Sequence, residues 1–442
     1  MSRIVDPVEC DEILPAQADV VIIGGGIVGV STALFLAQRG VSTVLCEKGV
    51  INGEQSSRNW GWVRQMGRDP REIPLIVESM RLWRSMNETV QGETGFRETG
   101  ALFICDTEAD LRGHDGWLEH ARTHRLDSRM ITGAEVARLV PGANRSWAGA
   151  LYTPSDGRAE PEKAASAMAT AARRHGATII GNCAVRGLDI QGGRIAGAIT
   201  EKGRIACSAV VLAGGAWSRL FCGNNDLRLP QLKVMASVMR TEKVAGPEVQ
   251  AVTSKFGYRK RLDGGYTVSQ LGVNVVDIVP DSFRLFYDFV PLMKIRWPKL
   301  RPRVTGRGLR EWVAPRRWSL DEASPFEKVR VLDPEPNLKI LEEAREAIGA
   351  TFPAFRDVKV VERWAGMVDV TPDAAPVMSA VDTLPGFFIA TGFSGHGFGI
   401  GPGAGRLMAD LVTGATPIVD PTPFRFSRFA DGSRAQPSRV AT

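Results

Sequence analysis

A β-branched run from Asp19 to Ile23 stops at Gly24-Gly25-Gly26, and apolar positions at helical spacing follow from Ile27 to Gln38 before a second apolar strand that ends on Glu47. Strand, glycine turn, helix and acid-terminated strand predict a βαβ unit of the dinucleotide-binding kind. Arg71 to Met86 carries one apolar face and predicts a helix, and TGFRETGALFICD after it reads as a turn and a strand. Residues 108 to 140 are more polar and helical, and Leu151 to Glu160 is loop-like. Pro161 then opens an alanine-rich helix to His175, a place where proline suits the first turn. Short strands separated by glycine turns close on the apolar run Ala209 to Ala213, and residues 228 to 290 are again rich in strands. Beyond Phe352 the chain becomes glycine-dense and ends in a second strand-turn-helix, with a helix expected to begin near Pro402. No repeat or low-complexity linker divides these pieces, so interleaved domains are expected. Residues 18–85, 150–228 and 352–418 are assigned to a discontinuous nucleotide-binding domain, and 86–149 and 229–351 to a substrate domain.

The first glycines have separate tasks. Gly24 permits the turn, Gly26 lets backbone approach a pyrophosphate at the helix N-terminus, and Gly29 lets the helix sit close on the sheet. Glu47 follows Gly29 by eighteen residues, where a carboxylate accepts hydrogen bonds from ribose hydroxyls and repels a 2′-phosphate. Ile27, Val28 and Lys48 complete this group of binding residues.

Composition narrows the class. Of 442 residues, 44 % are hydrophobic and 24 % charged, as in a protein with well-buried cores. A net charge of +6, from 55 basic against 49 acidic residues, is modest and gives no reason to expect nucleic acid. Cys10, Cys46, Cys105, Cys183, Cys207 and Cys222 form no C-x-x-C pair and read as reduced, mostly buried thiols. The opening MSRIVDPVECDEILPAQ lacks a signal-type apolar core, which points to a cytoplasmic protein, and the triple glycine with Asp19 argues against a membrane span over 18–37. His120 and His124 share a helical spacing but have no third ligand, so no metal is expected.

Five stretches together decide the family: GGGIVG with Glu47, SSRNWGWVRQMGRD, VVLAGGAWS, WAGMVDVTPDAAPV and TGFSGHGFGIGPGAG. With these the chain resembles the D-amino-acid oxidase (DAO) superfamily of FAD-dependent oxidoreductases, and is similar to sarcosine oxidase, glycine oxidase and D-amino-acid dehydrogenase. The resemblance implies an α/β fold: a Rossmann-like FAD-binding domain of the glutathione-reductase type, interleaved with an α+β substrate domain on a mixed or antiparallel sheet. It implies FAD contacts at Ser56, Ser57, Asn59, Trp60, Gly61 and Trp62, at Val185 beside the adenine, and at Ala213, Gly214, Gly215 and Trp217. Gly366, Gly395, His396, Gly397, Phe398 and Gly399 are placed around the flavin ring. The helix after them would aim its positive end at a reduced, anionic flavin. Gly366 stands where sarcosine oxidase attaches its flavin to a cysteine, and no histidine occurs in the first hundred residues, so the FAD is expected to be non-covalent.

On the substrate side the resemblance places Arg64 where sarcosine oxidase grips a carboxylate, a task that guanidinium geometry suits. A structural arginine paired with Asp69 or Glu72 is the alternative. Two further clamps of the family are missing, since Val368 and Gly399 occupy their positions. Tyr258, Arg259, Tyr266 and Gln270 are therefore candidates for the rest of the substrate site, with Tyr266 fixing the amine and His396 either polarising flavin or substrate or packed beneath the ring. Arg64, Tyr266 and His396 form the catalytic set. The implied reaction is oxidation of the C–N bond of a D-amino acid or N-substituted amino acid to an imine by hydride transfer to flavin, then hydrolysis. A hydroxy-acid or polyol dehydrogenase, or a flavin-carrying subunit of a heteromeric amine dehydrogenase, are the alternatives.

Residues 283–325 interleave aromatics with arginines and lysines as a basic aromatic insertion. Such a segment can lie peripherally on the inner face of an anionic membrane, cap a substrate entrance, receive an electron acceptor, or pack on its own domain. The stretch Ser269 to Val279 holds no lysine or arginine where sarcosine oxidase keeps an oxygen-activating lysine, so a dehydrogenase is expected before an oxidase.

Overall fold

The computed structural model describes residues 4–270, 274–297 and 300–437. Strand β1 (Val20–Ile23), helix α1 (Ile27–Ala37) and strand β2 (Thr43–Cys46) form the expected βαβ unit. A six-stranded sheet runs in the order 377–380, 387–391, 209–212, β1, β2, 178–180. It is parallel apart from the hairpin of its first two strands. Its strands are mostly apolar because helices cover one face and further chain the other, the pattern that a parallel sheet demands. Every residue of α1 is buried, since it lies between the sheet, the helix Pro161–Arg174 and the C-terminal helix Gly397–Thr413.

That C-terminal helix starts at Gly397, five residues before the expected Pro402, which sits inside it. Proline near a helix start removes few internal hydrogen bonds, which is why the pattern tolerates it. The glycines divide by task. Gly401 and Gly405 are packing positions: a Cβ on Gly405 would come 2.3 Å from the Cβ of Ser31, so α1 and this helix meet almost backbone to backbone.

The second large sheet is mixed. Its order is 300–303, 274–277, 232–241, 266–269, 257–260, 250–252, 101–105, 149–153, 129–132, and Val360–Val370 pairs along the other side of 232–241. The helix Leu338–Thr351 covers one face of its centre. Segments 149–153 and 360–370 pair in this sheet and not in the nucleotide-binding one: Ala101–Cys105 and Arg129–Thr132 hold the first, and the long register with Leu232–Thr241 holds the second. The expected helix over Arg71–Met86 begins with the 3-10 turn Pro70–Glu72, capped by Asp69, and continues as Ile73–Thr89.

In the basic aromatic insertion, helices Pro280–Arg284 and Phe286–Arg296 lead to an edge strand Leu300–Arg303, parallel to Asn274–Asp277, and to a helix Gly306–Val313. Buried Asp277 anchors it through Arg303 at 2.5 Å and Arg307 at 3.1 Å. Phe283, Tyr287, Trp297, Leu309, Trp312 and Val313 remain exposed on it. Among the described residues no helix is long and apolar enough to cross a membrane.

Candidate active site

One cavity of about 830 Å³ runs from the glycine turn to the insertion. At one end its wall is mostly backbone. Gly24, with φ of +111°, makes the turn after β1, and Gly29 packs so tightly that a Cβ would lie 2.0 Å from the Gly24 carbonyl. Gly29 therefore shapes the turn without lining the cavity. Glu47 lines it, held by N–H donors from Gly25 at 2.7 Å and Gly49 at 2.8 Å. Burial raises the Glu47 carboxyl above its usual range, while Lys48 and the two backbone donors hold it partly down. Ser56 Oγ accepts from the Ile27 N–H at the start of α1. Val28, Val185, Ala213, Gly214, Gly215 and Trp217 lie along the same wall. Lys48 also lines it, but its ammonium is taken by Glu54 and two carbonyls, and it lies over the Trp217 ring.

The middle of the cavity is built by Asn59, Trp60, Trp62, Gly366, Gly395, His396, Gly397, Phe398 and Gly399. Two of the expected contacts are elsewhere. Ser57 is fully buried with its hydroxyl donated to Glu54 O, and Gly61 is packed against Arg259. In both, the local turn directs the residue inward.

At the far end Arg64 lines the cavity with its guanidinium over the Phe103 ring, donating to Met66 O. The pairings considered for it are not formed: Asp69 pairs with Arg71, and Glu72 with Arg68. Among the described residues no carboxylate stands within ion-pair distance of Arg64. Burial pulls its pKa down, and the neighbouring Arg68 charge adds to this. Tyr266 does not reach the cavity. It is wholly buried, its hydroxyl donated to Pro247 O at 3.0 Å and its ring against Phe355. Tyr258 lies in the same core, and Arg259 is bound to Glu160. The reason is the two-residue period of a strand: Tyr266 and Val268 face the helix Leu338–Thr351, whereas Ser269 faces the cavity. Of the four candidates only Gln270 lines the cavity.

Several lining residues were not singled out from the sequence. Arg68 was inside a quoted motif, and its guanidinium fills the space where the missing lysine would stand: a Cβ on Gly399 would come 2.9 Å from Arg68 Nη2. Gln55, Arg58 and Asp369 are further examples. Asp369 accepts from Gln231, Thr391 and the Gly392 N–H, and burial raises its carboxyl. Phe283, Phe286, Phe289, Met293, Arg296 and Trp297 of the insertion roof the far end. Capping a substrate entrance was one of four roles open to this segment in the sequence, and which of its residues line the cavity depends on the insertion folding back.

The cavity suits FAD. It begins at the N-terminus of α1 beside the Glu47 carboxylate and is lined further on by Gly366, Gly395, Gly397 and Gly399. Arg58 Nη2 and Trp62 Nε1 are buried donors without a hydrogen-bond partner in the protein, a fit for a polar cofactor. Among the described residues no group of histidines, cysteines and carboxylates could hold a metal ion. These features define a flavin-dependent oxidoreductase.

The sequence profile of the DAO family, "FAD dependent oxidoreductase", matches residues 19–411, and the chain belongs to that family. Its cofactor is FAD, and its relatives are amino-acid and amine oxidases and dehydrogenases. It is 25 % identical to sarcosine oxidase subunit beta of Rhodobacter capsulatus, over 94 % of this chain and 89 % of that one. The L-amino acid deaminase from Proteus myxofaciens, solved in complex with anthranilate, superposes with a TM-score of 0.93 at 36 % identity, covering 97 % of each chain. The L-amino acid deaminase from Proteus vulgaris with its specific insertion sequence deleted reaches 0.77 at 31 % identity, over 96 % of this chain and 97 % of that one.

Proposed function

We propose that the chain oxidises the C–N bond of an L-α-amino acid with a large apolar side chain, giving an imine that water converts to a 2-oxo acid and ammonia. The observation that carries this is Arg64, a half-buried guanidinium at the apolar end of the cavity that pairs with no carboxylate among the described residues. A substrate carboxylate would relieve the burial of that charge. FAD, when bound, accepts the hydride equivalent from the carbon that bears the amine. Arg64 holds the carboxylate, the aromatic roof holds the side chain and excludes water, and the Arg68 guanidinium keeps the wall at Gly399 positive.

The L-configuration is supported by the likeness to the Proteus deaminases, and it shifts the expectation from D-amino acids. An N-alkyl amino acid is the second reading, favoured by the likeness to the sarcosine oxidase subunit, which also raises assembly with other chains. Anaerobic bleaching of the flavin across L-, D- and N-alkyl amino acids and matching hydroxy acids tests this. Bleaching by hydroxy acids alone would overturn it. The flavin is non-covalent in this reading: a Cβ on Gly366 would already crowd Arg58, and acid precipitation should release intact FAD into the supernatant.

Electrons leave to an acceptor other than oxygen, docked on the exposed aromatic face of the insertion, in the cytoplasm or on the inner face of a membrane. Part of the stretch behind this expectation, 271–273, lies outside the described residues. Rapid mixing of substrate-reduced enzyme with air-saturated buffer checks it. Fast, stoichiometric peroxide would refute it, and slow reoxidation relieved by a quinone would support it.

A further inference from the structure

Behind the cavity wall lies a buried pair that the chemistry above leaves unused. Glu72 ends the turn Pro70–Glu72, and none of its side chain reaches solvent. Its Oε2 accepts from Arg68 Nη1 at 3.3 Å and stands 3.6 Å from His396 Nδ1. Glu72 Oε1 and His396 Nδ1 are both buried without a hydrogen-bond partner. Buried polar atoms are costly when unpaired, and a carboxylate can only accept. One arrangement gives the imidazole its partner: the proton resides on Nδ1 and is donated to Glu72 Oε2, after a closure of a few tenths of an ångström.

The same elements hold the backbone. Arg68 Nη1 also donates to His396 O at 3.1 Å, and Arg68 Nε to Arg64 O at 3.0 Å. His396 is the residue that precedes the first turn of the C-terminal helix, and its ring lines the cavity. With Nδ1 turned to Glu72, Nε2 is the nitrogen on the opposite side of the ring.

We propose that Glu72 is a positioning residue of this site, which fixes the orientation and tautomer of His396 so that Nε2 is a hydrogen-bond acceptor at the cavity wall. A carboxylate behind a histidine sets the tautomer in this way wherever the imidazole must present a lone pair. The charged groups that face the ring are Glu72, Arg68 and Arg64. Burial is the strongest influence and pulls the imidazole below its ordinary value, so the ring is neutral and carries a single N–H. Burial works against the ionised Glu72 too, but His396, Arg68 and Arg71 outweigh it and hold the carboxyl below its usual range. The wall then offers two complementary groups, guanidinium donors at Arg64 for a carboxylate and an acceptor at His396 for an amine. That last consequence rests on the proposed amino-acid substrate, whereas the tautomer does not.

Histidine-labelled 15N NMR of the substrate-free holoenzyme tests the tautomer directly. The chain has five histidines, and H396N identifies the resonances of His396 by difference. The expected result is a neutral ring protonated on Nδ1. In E72Q the neutral amide is a weaker acceptor that can also donate, so the share of the Nε2–H tautomer should rise several-fold. A mere counter-ion to Arg68 would alter stability without moving this ratio. An Nε2–H ring in the wild type, or an unchanged ratio in E72Q, overturns the proposal. If E72Q does not fold, the wild-type tautomer decides alone. Because no substrate is present, failure of the amino-acid reading leaves this result untouched.

Discussion

The two ends of the cavity are built in different ways. At the nucleotide end the wall is backbone from one contiguous unit, β1, the glycine turn, α1 and β2, joined by the strand start at Val185 and the short turn Ala213–Gly215. At the far end it is side chains brought from distant segments: Arg64 and Arg68, Phe103, Gln270, the insertion, and Val368. A wall of backbone tolerates no side chain at its key positions, whereas a wall of side chains depends on which strand face each residue occupies. The first kind suits the FAD of this family, and the second, in the reading proposed above, the substrate.

The largest expected effect is at the nucleotide end. Gly26→Val should give folded protein, by circular dichroism, with almost no bound flavin, because among the described residues the near neighbour of a Cβ there is Ser56 Oγ at 3.1 Å and the branches would project into the slot. A normal flavin-to-protein ratio in this variant would mean that backbone approach at Gly26 is not needed. At the other end, Arg64→Ala should keep the flavin spectrum and raise KM, costing about 2 to 5 kcal/mol in kcat/KM if the carboxylate pair is desolvated. Lost flavin with unchanged KM would instead make Arg64 part of the cofactor end and erase the contrast.

Asp156 lies behind Arg64 and gives a smaller effect. It accepts from the Gln65 N–H at 2.6 Å and the Met66 N–H at 3.3 Å, yet burial pushes its carboxyl up to about 7. A raised carboxyl pKa means that the folded state binds more protons than the unfolded state between about pH 4 and pH 7. Its contribution to stability is therefore full below about pH 4 and is lost as pH rises through 7, with a slope of at most about 1.4 kcal/mol per pH unit. Asp156→Asn should flatten that slope in denaturant melts taken across the window. The smallest effect is expected from Tyr266→Phe, which removes the hydroxyl bond to Pro247 O: about 1 kcal/mol of stability and little change in kcat/KM. A large fall in kcat/KM would return Tyr266 to the active site.

The same division governs what could be read in advance. Gly24, Gly26, Glu47 and the helix after them are legible because their function is local: a turn, a helix N-terminus and a strand end a few residues apart. The sheet itself followed from its apolar runs, but its membership did not, since Val360–Val370 reads like any strand until its register with Leu232–Thr241 is known. Tyr266 and Gln270 are four residues apart and would share a face of one continuous strand, but the strand ends at Ser269, so Tyr266 stays in the core while Gln270, beyond the strand end, lines the cavity.

The pattern of the sequence determined the βαβ unit and pointed to an adenine dinucleotide, because steric demands on glycine and the period of apolar positions are written in neighbouring letters, and the resemblance of its motifs implied FAD. The tertiary structure alone decided that Arg68 takes the space above Gly399, that Glu72 meets His396, and that the insertion roofs the cavity. Those contacts join residues tens to hundreds of positions apart. Their energies come from burial and charge pairing that exist only once the chain has closed.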